Sequence, residues 1–248
     1  RNAARSSIDA PVAGHLAENA PPCGLRGPPP RTAGQPESRR PSERLADMWI
    51  RPNPTDVLLV VDLQYDFMPG GALGVKGGDE IVAPINALGR RFENVLLTQD
   101  WHPADHVSFA SNHDGAEPFQ FIALPYGPQI LWPDHCVWDT PGAAFVTEME
   151  LPHAQLVIRK GYNETVDSYS AFQEADRRTR TGLEGYLRER GLGRLFLAGL
   201  ATDFCVHWTA VDARAAGFET YVVEDLCRAI DTNGSLDDAW KAMTAAGV

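Results

Sequence analysis

Residues 57–61 read Val-Leu-Leu-Val-Val, and the next residue is Asp62. A continuous, β-branched run this short fits a strand buried on both faces, as in parallel sheets covered by helices. Further short runs suited to strands follow at 94–98, 155–159, 194–198 and 219–223. Helical patterns lie between them. The first spans 79–92, with Asp79 as its cap and Ile81, Ile85 and Leu88 on one face; others span 181–190, 203–216 and 236–245. Buried strands alternating with amphipathic helices predict an α/β fold, a three-layer sandwich with a central, mainly parallel sheet and helices on both faces. Residues 100–154 break the rhythm, being rich in Pro, Trp and His with little periodicity. A loop that long within a compact domain is usually functional.

The composition of the whole chain frames this core. Its 248 residues are 44% hydrophobic, which excludes wholesale disorder, and carry a net charge of −11, which argues against a nucleic-acid partner. The charge is unevenly spread. Residues 1–55 hold eight Arg, no Lys and five acidic residues, a net of +3, which leaves −14 for residues 56–248. The same 55 residues contain ten of the 19 prolines and one aromatic, Trp49. The expectation is a disordered or non-native Pro/Arg-rich leader over 1–55, ahead of a folded domain over 56–248. The start at Arg1 and the stop at Val248, directly after a helical pattern, read as signs of a fragment. No run of ~18 apolar residues suggests a membrane span. Cys23, Cys136, Cys205 and Cys227 form no C-x-x-C pair, so a reducing, cytoplasmic setting is expected.

Reactive residue types gather at the carboxyl ends of the expected strands, where open α/β sheets bind ligands. Asp62 ends the first, Asp100 and His102 follow the second, Lys160 ends the third, and Cys205 follows the fourth. That coincidence points to an enzyme. In GLATDFCVHW (199–208), Asp203 as a cap would put Cys205 in the first turn of a helix, where the dipole favours a thiolate and main-chain N–H groups can hold an oxyanion. A buried, inert thiol is the alternative; Cys136 and Cys227 have weaker claims, Cys227 following a strand with no base in view. Asp62 is a costly residue to bury unless it is paired or shuttles a proton, whereas Asp66 reads as a turn-bracing residue ahead of PGGALGVKGG. Strand alternation puts only one of Arg159 and Lys160 on the crevice face. The two-residue offset in Asp100-Trp101-His102 points both possible ligands the same way. Four of the seven histidines lie between 102 and 135, so Asp100, His102 and His135 read as an open metal site, with His106 and His113 nearby. Surface or turn histidines are the alternative.

VVDLQYDFMPGGAL, TQDWHPADHVSFASNH, LWPDHCVWDTPGA, IRKGYNETVDSYSAF and LAGLATDFCV occur in this order. Together they resemble the nicotinamidases of the isochorismatase-like hydrolase superfamily, over about residues 56–248. The resemblance implies metal-dependent hydrolysis of nicotinamide to nicotinate and ammonia through a cysteine thioester, in NAD salvage. It implies Cys205 as nucleophile, Asp62 as acid/base and Lys160 as the third catalytic residue. The oxyanion hole maps to the N–H groups of Ala201 and Cys205, and a cis peptide to Leu200–Ala201. The metal ligands map to Asp100, His102 and His135, with His106 matching a ligand of some members only. The aromatic walls map to Phe67, Trp132 and Tyr169. One divalent metal is implied, zinc first, with iron or manganese as alternatives, holding the pyridine nitrogen. The expected partner is the small-molecule substrate, with no nucleic acid or membrane, in a chain able to form a homo-oligomer. Two other readings remain: a carbamoyl-amide hydrolase of the same superfamily, and an iron oxygenase built on two histidines and a carboxylate.

Overall fold

The computed structural model describes residues 51–248, so the expected leader lies outside the described residues except for 51–55. Five parallel strands form the central sheet: β1 (Asp56–Val61), β2 (Asn94–Asp100), β5 (Leu156–Lys160), β6 (Arg194–Leu200) and β7 (Glu219–Arg228), in the order β5-β2-β1-β6-β7. All neighbours pair parallel. Between β2 and β5 a separate antiparallel hairpin, β3 (Phe121–Leu124) and β4 (Gly127–Ile130), interrupts the region expected to be loop.

The period of two along β1 divides the core. Leu58 and Val60 face a cluster containing Val82 and Ile85 of α1 (Val82–Gly89). Val57, Leu59 and Val61 face the other side, against α2 (Leu183–Glu189), α3 (His207–Ala215) and α4 (Ser235–Ala246), through Leu183, Leu187, Ala210, Ala213, Ala239 and Met243. Burial on both faces is why the run carries no polar residue until Asp62. Each such Leu or Val contributes about 1.5–3 kcal/mol.

Three helix starts differ from expectation. Asp79 does not cap α1: residues 77–81 form turns, and the helix begins at Val82 behind Ile81 with no side-chain cap. Thr181 lies outside α2 because Gly182 sits at φ 94°, a left-handed conformation that no helix continues through. Asp203 does not cap a helix either. Residues Thr202–Val206 form a π-helical turn, in which Val206 N–H donates to Ala201 O at 3.1 Å, and α3 follows only at His207. β7 runs to Arg228, so Cys227 lies within the strand rather than after it, paired with Gly199. Among the described residues no helix is long and apolar enough to cross a membrane.

Candidate active site

The sheet delivers one reactive group from each of four strand ends. Asp62 leaves β1 at φ 51° and is fully buried. Asp100 closes β2 directly opposite Lys160, the last residue of β5. Alternation sends Lys160 inward, 1% exposed, while Arg159 turns out and lays its guanidinium 4.0 Å over the Trp101 ring. Past β6, the cis peptide Leu200–Ala201 leads into the π-helical turn that carries Cys205.

These groups meet at Lys160. Its Nζ donates to Asp100 Oδ1 at 2.8 Å and to Cys205 Sγ at 3.3 Å. It also lies 2.9 Å from Asp62 Oδ2, but too far off line for a hydrogen bond. Oδ2 of Asp62 is consequently the only buried side-chain nitrogen or oxygen among the described residues with no hydrogen-bond partner.

Burial dominates the electrostatics. It works to lower the Lys160 ammonium, but Asp100 and Asp62 outweigh it and hold the group well above its ordinary range, so Lys160 stays charged. Burial raises the Asp62 carboxyl, against the pull of Lys160. It also raises the Asp100 carboxyl, but there His102 and Lys160 prevail and hold it well below the usual range. The Cys205 thiol is pushed well up by burial, with Lys160 opposing and Asp62 and Asp100 adding to the rise. A thiolate resting at a helix N-terminus was the expectation; burial beside two carboxylates keeps the proton on sulfur instead.

On the far side of Asp100, its Oδ2 lies 3.0 Å from His102 Nε2 and 3.3 Å from His135 Nε2. Each ring turns Nδ1 to a main-chain carbonyl, His102 to Gly161 O and His135 to Pro133 O, both at 2.8 Å. That places a proton on each Nδ1 and turns the Nε2 atoms to the carboxylate, where a metal ion would stand in place of an Nε2 proton, the orientation metal-ligating histidines adopt. Carboxylate and two imidazoles within 4.8 Å of one another fit a divalent transition ion, with positions left open for water or substrate. Gly161 makes room for this arrangement: at φ 70°, a Cβ there would stand 2.3 Å from His102 Cε1.

His106 sits behind His102, ring centroids 4.3 Å apart. Its Nδ1 meets Ser108 Oγ at 2.7 Å and its Nε2 meets Val166 O at 3.3 Å. Burial and the neighbouring His102 push it down to about 4, so it is neutral. With His102 and Asp167 it forms a second donor group within 4.8 Å. His113 Nε2–H donates to Val107 O at 2.8 Å, and the residue belongs to neither group.

A narrow cleft runs between Cys205 and the histidines, walled by Phe67, Trp132, Tyr169, Leu73, Phe204 and Ile230. The Trp132 indole N–H donates to Tyr169 Oη at 3.0 Å, which fixes both walls. Asp66 lies outside the cleft, bracing the loop by accepting the Cys136 N–H at 2.7 Å.

Sequence reasoning missed three supports. Gln64 pins Asp100 by donating to its carbonyl and accepting its N–H, both at 2.7 Å. Thr98 grips Asp62. Asp203 ties the cysteine turn to residues 230–235. Gln64 left no signal in the sequence: two residues past Asp62, it reaches Asp100 only because the chain turns, its N–H donating back to Asp62 O at 2.9 Å.

A family model described as the isochorismatase domain matches residues 56–248. The nicotinamidase of Acinetobacter baylyi is 58% identical over 191 residues, 77% of this chain and 89% of that protein. The solved nicotinamidase–pyrazinamidase of Acinetobacter baumanii superposes with a TM-score of 0.78 at 54% identity, covering 79% of this chain and 95% of the other. The pyrazinamidase of Pyrococcus horikoshii, solved in complex with zinc, superposes with a TM-score of 0.64 at 36% identity, covering 78% and 97%. Fold, site and kinship agree: the chain belongs to the isochorismatase family and, within it, to the nicotinamidases, hydrolases of a carboxamide C–N bond.

Proposed function

We propose that the chain hydrolyses nicotinamide to nicotinate and ammonia through a thioester on Cys205, using a divalent metal held by Asp100, His102 and His135. The observation that carries this reading is the position of Lys160 Nζ, within 3.3 Å of Cys205 Sγ, 2.9 Å of Asp62 Oδ2 and 2.8 Å of Asp100 Oδ1. A buried lysine touching a thiol and two carboxylates has little use in packing and an evident one in holding together the groups that exchange a proton.

An amide is a poor electrophile with a poor leaving group, and a sulfur nucleophile divides its hydrolysis into two easier steps. Asp62 Oδ2 takes the Cys205 proton as sulfur attacks the carbonyl carbon, whose π pair moves onto oxygen. The N–H groups of Ala201 and Cys205 receive that oxyanion; losing one such donor typically costs ~10²–10³ in rate. Asp62 returns its proton to the amide nitrogen, the C–N bond breaks, and ammonia leaves behind the thioester. Water then attacks, Asp62 takes its proton, the C–S bond breaks, and sulfur regains the proton as the acid departs. Lys160 keeps its charge throughout and favours Asp62 in the ionised form the first step needs.

Phe67, Trp132 and Tyr169 clamp the ring. A metal bound by Asp100, His102 and His135 would act as a Lewis acid for the pyridine nitrogen. Zinc in the Pyrococcus horikoshii relative supports it as first choice, with iron and manganese as alternatives; His106, both nitrogens engaged, stands as a support rather than a ligand. The catalytic unit is residues 56–248, acting in the cytoplasm on a small molecule, with no nucleic-acid or membrane partner and with scope for self-association. Cys205→Ala should abolish ammonia release from nicotinamide while leaving the melting temperature within a few degrees. Ammonia release by that variant would overturn the reading.

A further inference from the structure

Thr98 is a fully buried β2 residue to which neither the family motifs nor the proton path assigns a role. Its hydroxyl donates to Asp62 Oδ1 at 2.6 Å and accepts the Asp62 main-chain N–H at 3.2 Å. Two bonds from one hydroxyl to one residue hold both the backbone and the carboxylate plane of Asp62. That residue stands at φ 51°, directly past the end of β1, where no ladder bond fixes it.

The consequence is an asymmetry between the two carboxylate oxygens. Oδ1 is occupied by the Thr98 hydroxyl, whereas Oδ2 has no hydrogen-bond donor and lies beside the Lys160 ammonium, which itself bonds the Cys205 sulfur. Were Asp62 to rotate about its side-chain bonds, the free oxygen would turn away from the thiol. A β-branched residue in a strand has few χ1 choices, so threonine presents its hydroxyl in a fixed direction.

We infer that Thr98 is a positioning residue for the amide hydrolysis: by occupying Oδ1 it dedicates Oδ2 of Asp62 to the proton exchanged with Cys205. The inference rests on the proposed roles of Asp62 and Cys205. It predicts that a hydroxyl, not a shape, is needed at position 98.

The test compares Thr98→Val, which keeps the shape, with Thr98→Ser, which keeps the hydroxyl, both in the metal-loaded full chain. kcat and KM for nicotinamide are measured with melting temperature, bound metal and the rate at which iodoacetamide alkylates Cys205, followed by peptide mass. Thr98→Val should lower kcat by about 10- to 100-fold, a part of what positioned acid–base catalysis supplies. KM and metal content should stay within about 2-fold, a pattern that marks loss of a transition-state interaction. Alkylation should slow in parallel, and Thr98→Ser should recover most of both rates. If Thr98→Val does not fold, Thr98→Ala against Thr98→Ser gives the same comparison.

An undiminished kcat in Thr98→Val overturns the inference, and so does a Thr98→Ser variant as slow as it. Metal loss in step with kcat also overturns it, since Thr98 would then act through Asp100, two residues on. Cys205→Ala run beside them separates the two levels: activity in that variant sinks the thioester reading itself, whereas an inactive Cys205→Ala with a fully active Thr98→Val sinks only the role of Thr98.

Discussion

Lys160 Nζ donates to Asp100 Oδ1 at 2.8 Å, while the other oxygen of the same carboxylate faces His102 and His135. One carboxylate thus joins the ammonium beside the Cys205 thiol to the two imidazoles. Lys160→Met would leave Asp62 and Asp100 buried without their cation. Removing one partner of a buried pair costs about 3–5 kcal/mol, so the variant should lose both turnover and a comparable amount of stability by urea denaturation. A Lys160→Met protein as stable as the parent would mean that the two carboxylates find another partner.

Metal binding should depend on a residue that touches no metal. Gly161→Ala places a Cβ within 2.3 Å of the His102 ring at a φ of 70° that alanine adopts at a cost. His102 would have to swing off the Gly161 carbonyl that fixes its tautomer. Disturbing such a support typically costs 10–100-fold in metal affinity. Competition with a fluorescent chelator should show zinc binding weakened by about that factor, and added zinc should restore part of the activity. Parent-like affinity would contradict the cradle.

Much of this site is legible in the sequence because the sheet makes it so. VLLVV fits a strand covered on both sides, and the residue after such a strand stands at the ligand-binding edge. The same logic places Asp100, Lys160 and Cys205, and period-two alternation separates Lys160 from Arg159. What escaped has physical reasons too. A π-helical turn carries the same residues as an α-helical one and differs only in which carbonyl each N–H reaches. The hairpin is hidden because Gly127 and Pro128 open β4 and Phe121, on β3, points to solvent. Thr98 reads as strand propensity, and its hydroxyl gains meaning only once β1 lies alongside. Asp203 has the identity and place of a helix cap, yet its oxygens are claimed by a segment 27 to 32 residues further on.

Buried thiols give the fold an alkaline limit. Burial pushes Cys227 up from an ordinary 9.0 to about 12, and Cys136 and Cys205 are raised as well, so all three keep their protons in the folded state. The unfolded chain releases them above pH 9. A group whose folded pKa is raised contributes stability that is full below the unfolded pKa and is lost as pH rises towards the folded one. Between pH 9 and 12 Cys227 alone should therefore cost about 1.4 kcal/mol per pH unit. Cys227→Ser, judged against its own stability at pH 8, should fall less steeply by about that slope in urea melts at pH 8, 9.5 and 10.5. Equal slopes for variant and parent would show that Cys227 ionises as readily folded as unfolded.

Asp203 couples the turn that carries Cys205 to Ile230, a wall of the cleft. It accepts the Ile230 N–H at 3.1 Å through Oδ1, and the Asp231 N–H at 2.8 Å and the Ser235 hydroxyl at 2.5 Å through Oδ2. Ile230 lines the cleft two residues past β7, and Ser235 begins α4. One side chain therefore sets both the cleft wall and the start of the last helix. Hydrogen bonds to a charged group contribute about 1.5–3 kcal/mol each, and deleting this acceptor leaves three part-buried donors without it. Asp203→Ala should lose at least ~2 kcal/mol and raise KM for nicotinamide more than it lowers kcat, because its partner Ile230 is a wall of the cleft and not one of the proposed reacting groups. Asp203→Asn keeps one acceptor oxygen and should fall between. If Asp203→Ala instead lowered kcat with KM unchanged, the residue would be steering Cys205 through the π-helical turn rather than the wall through Ile230.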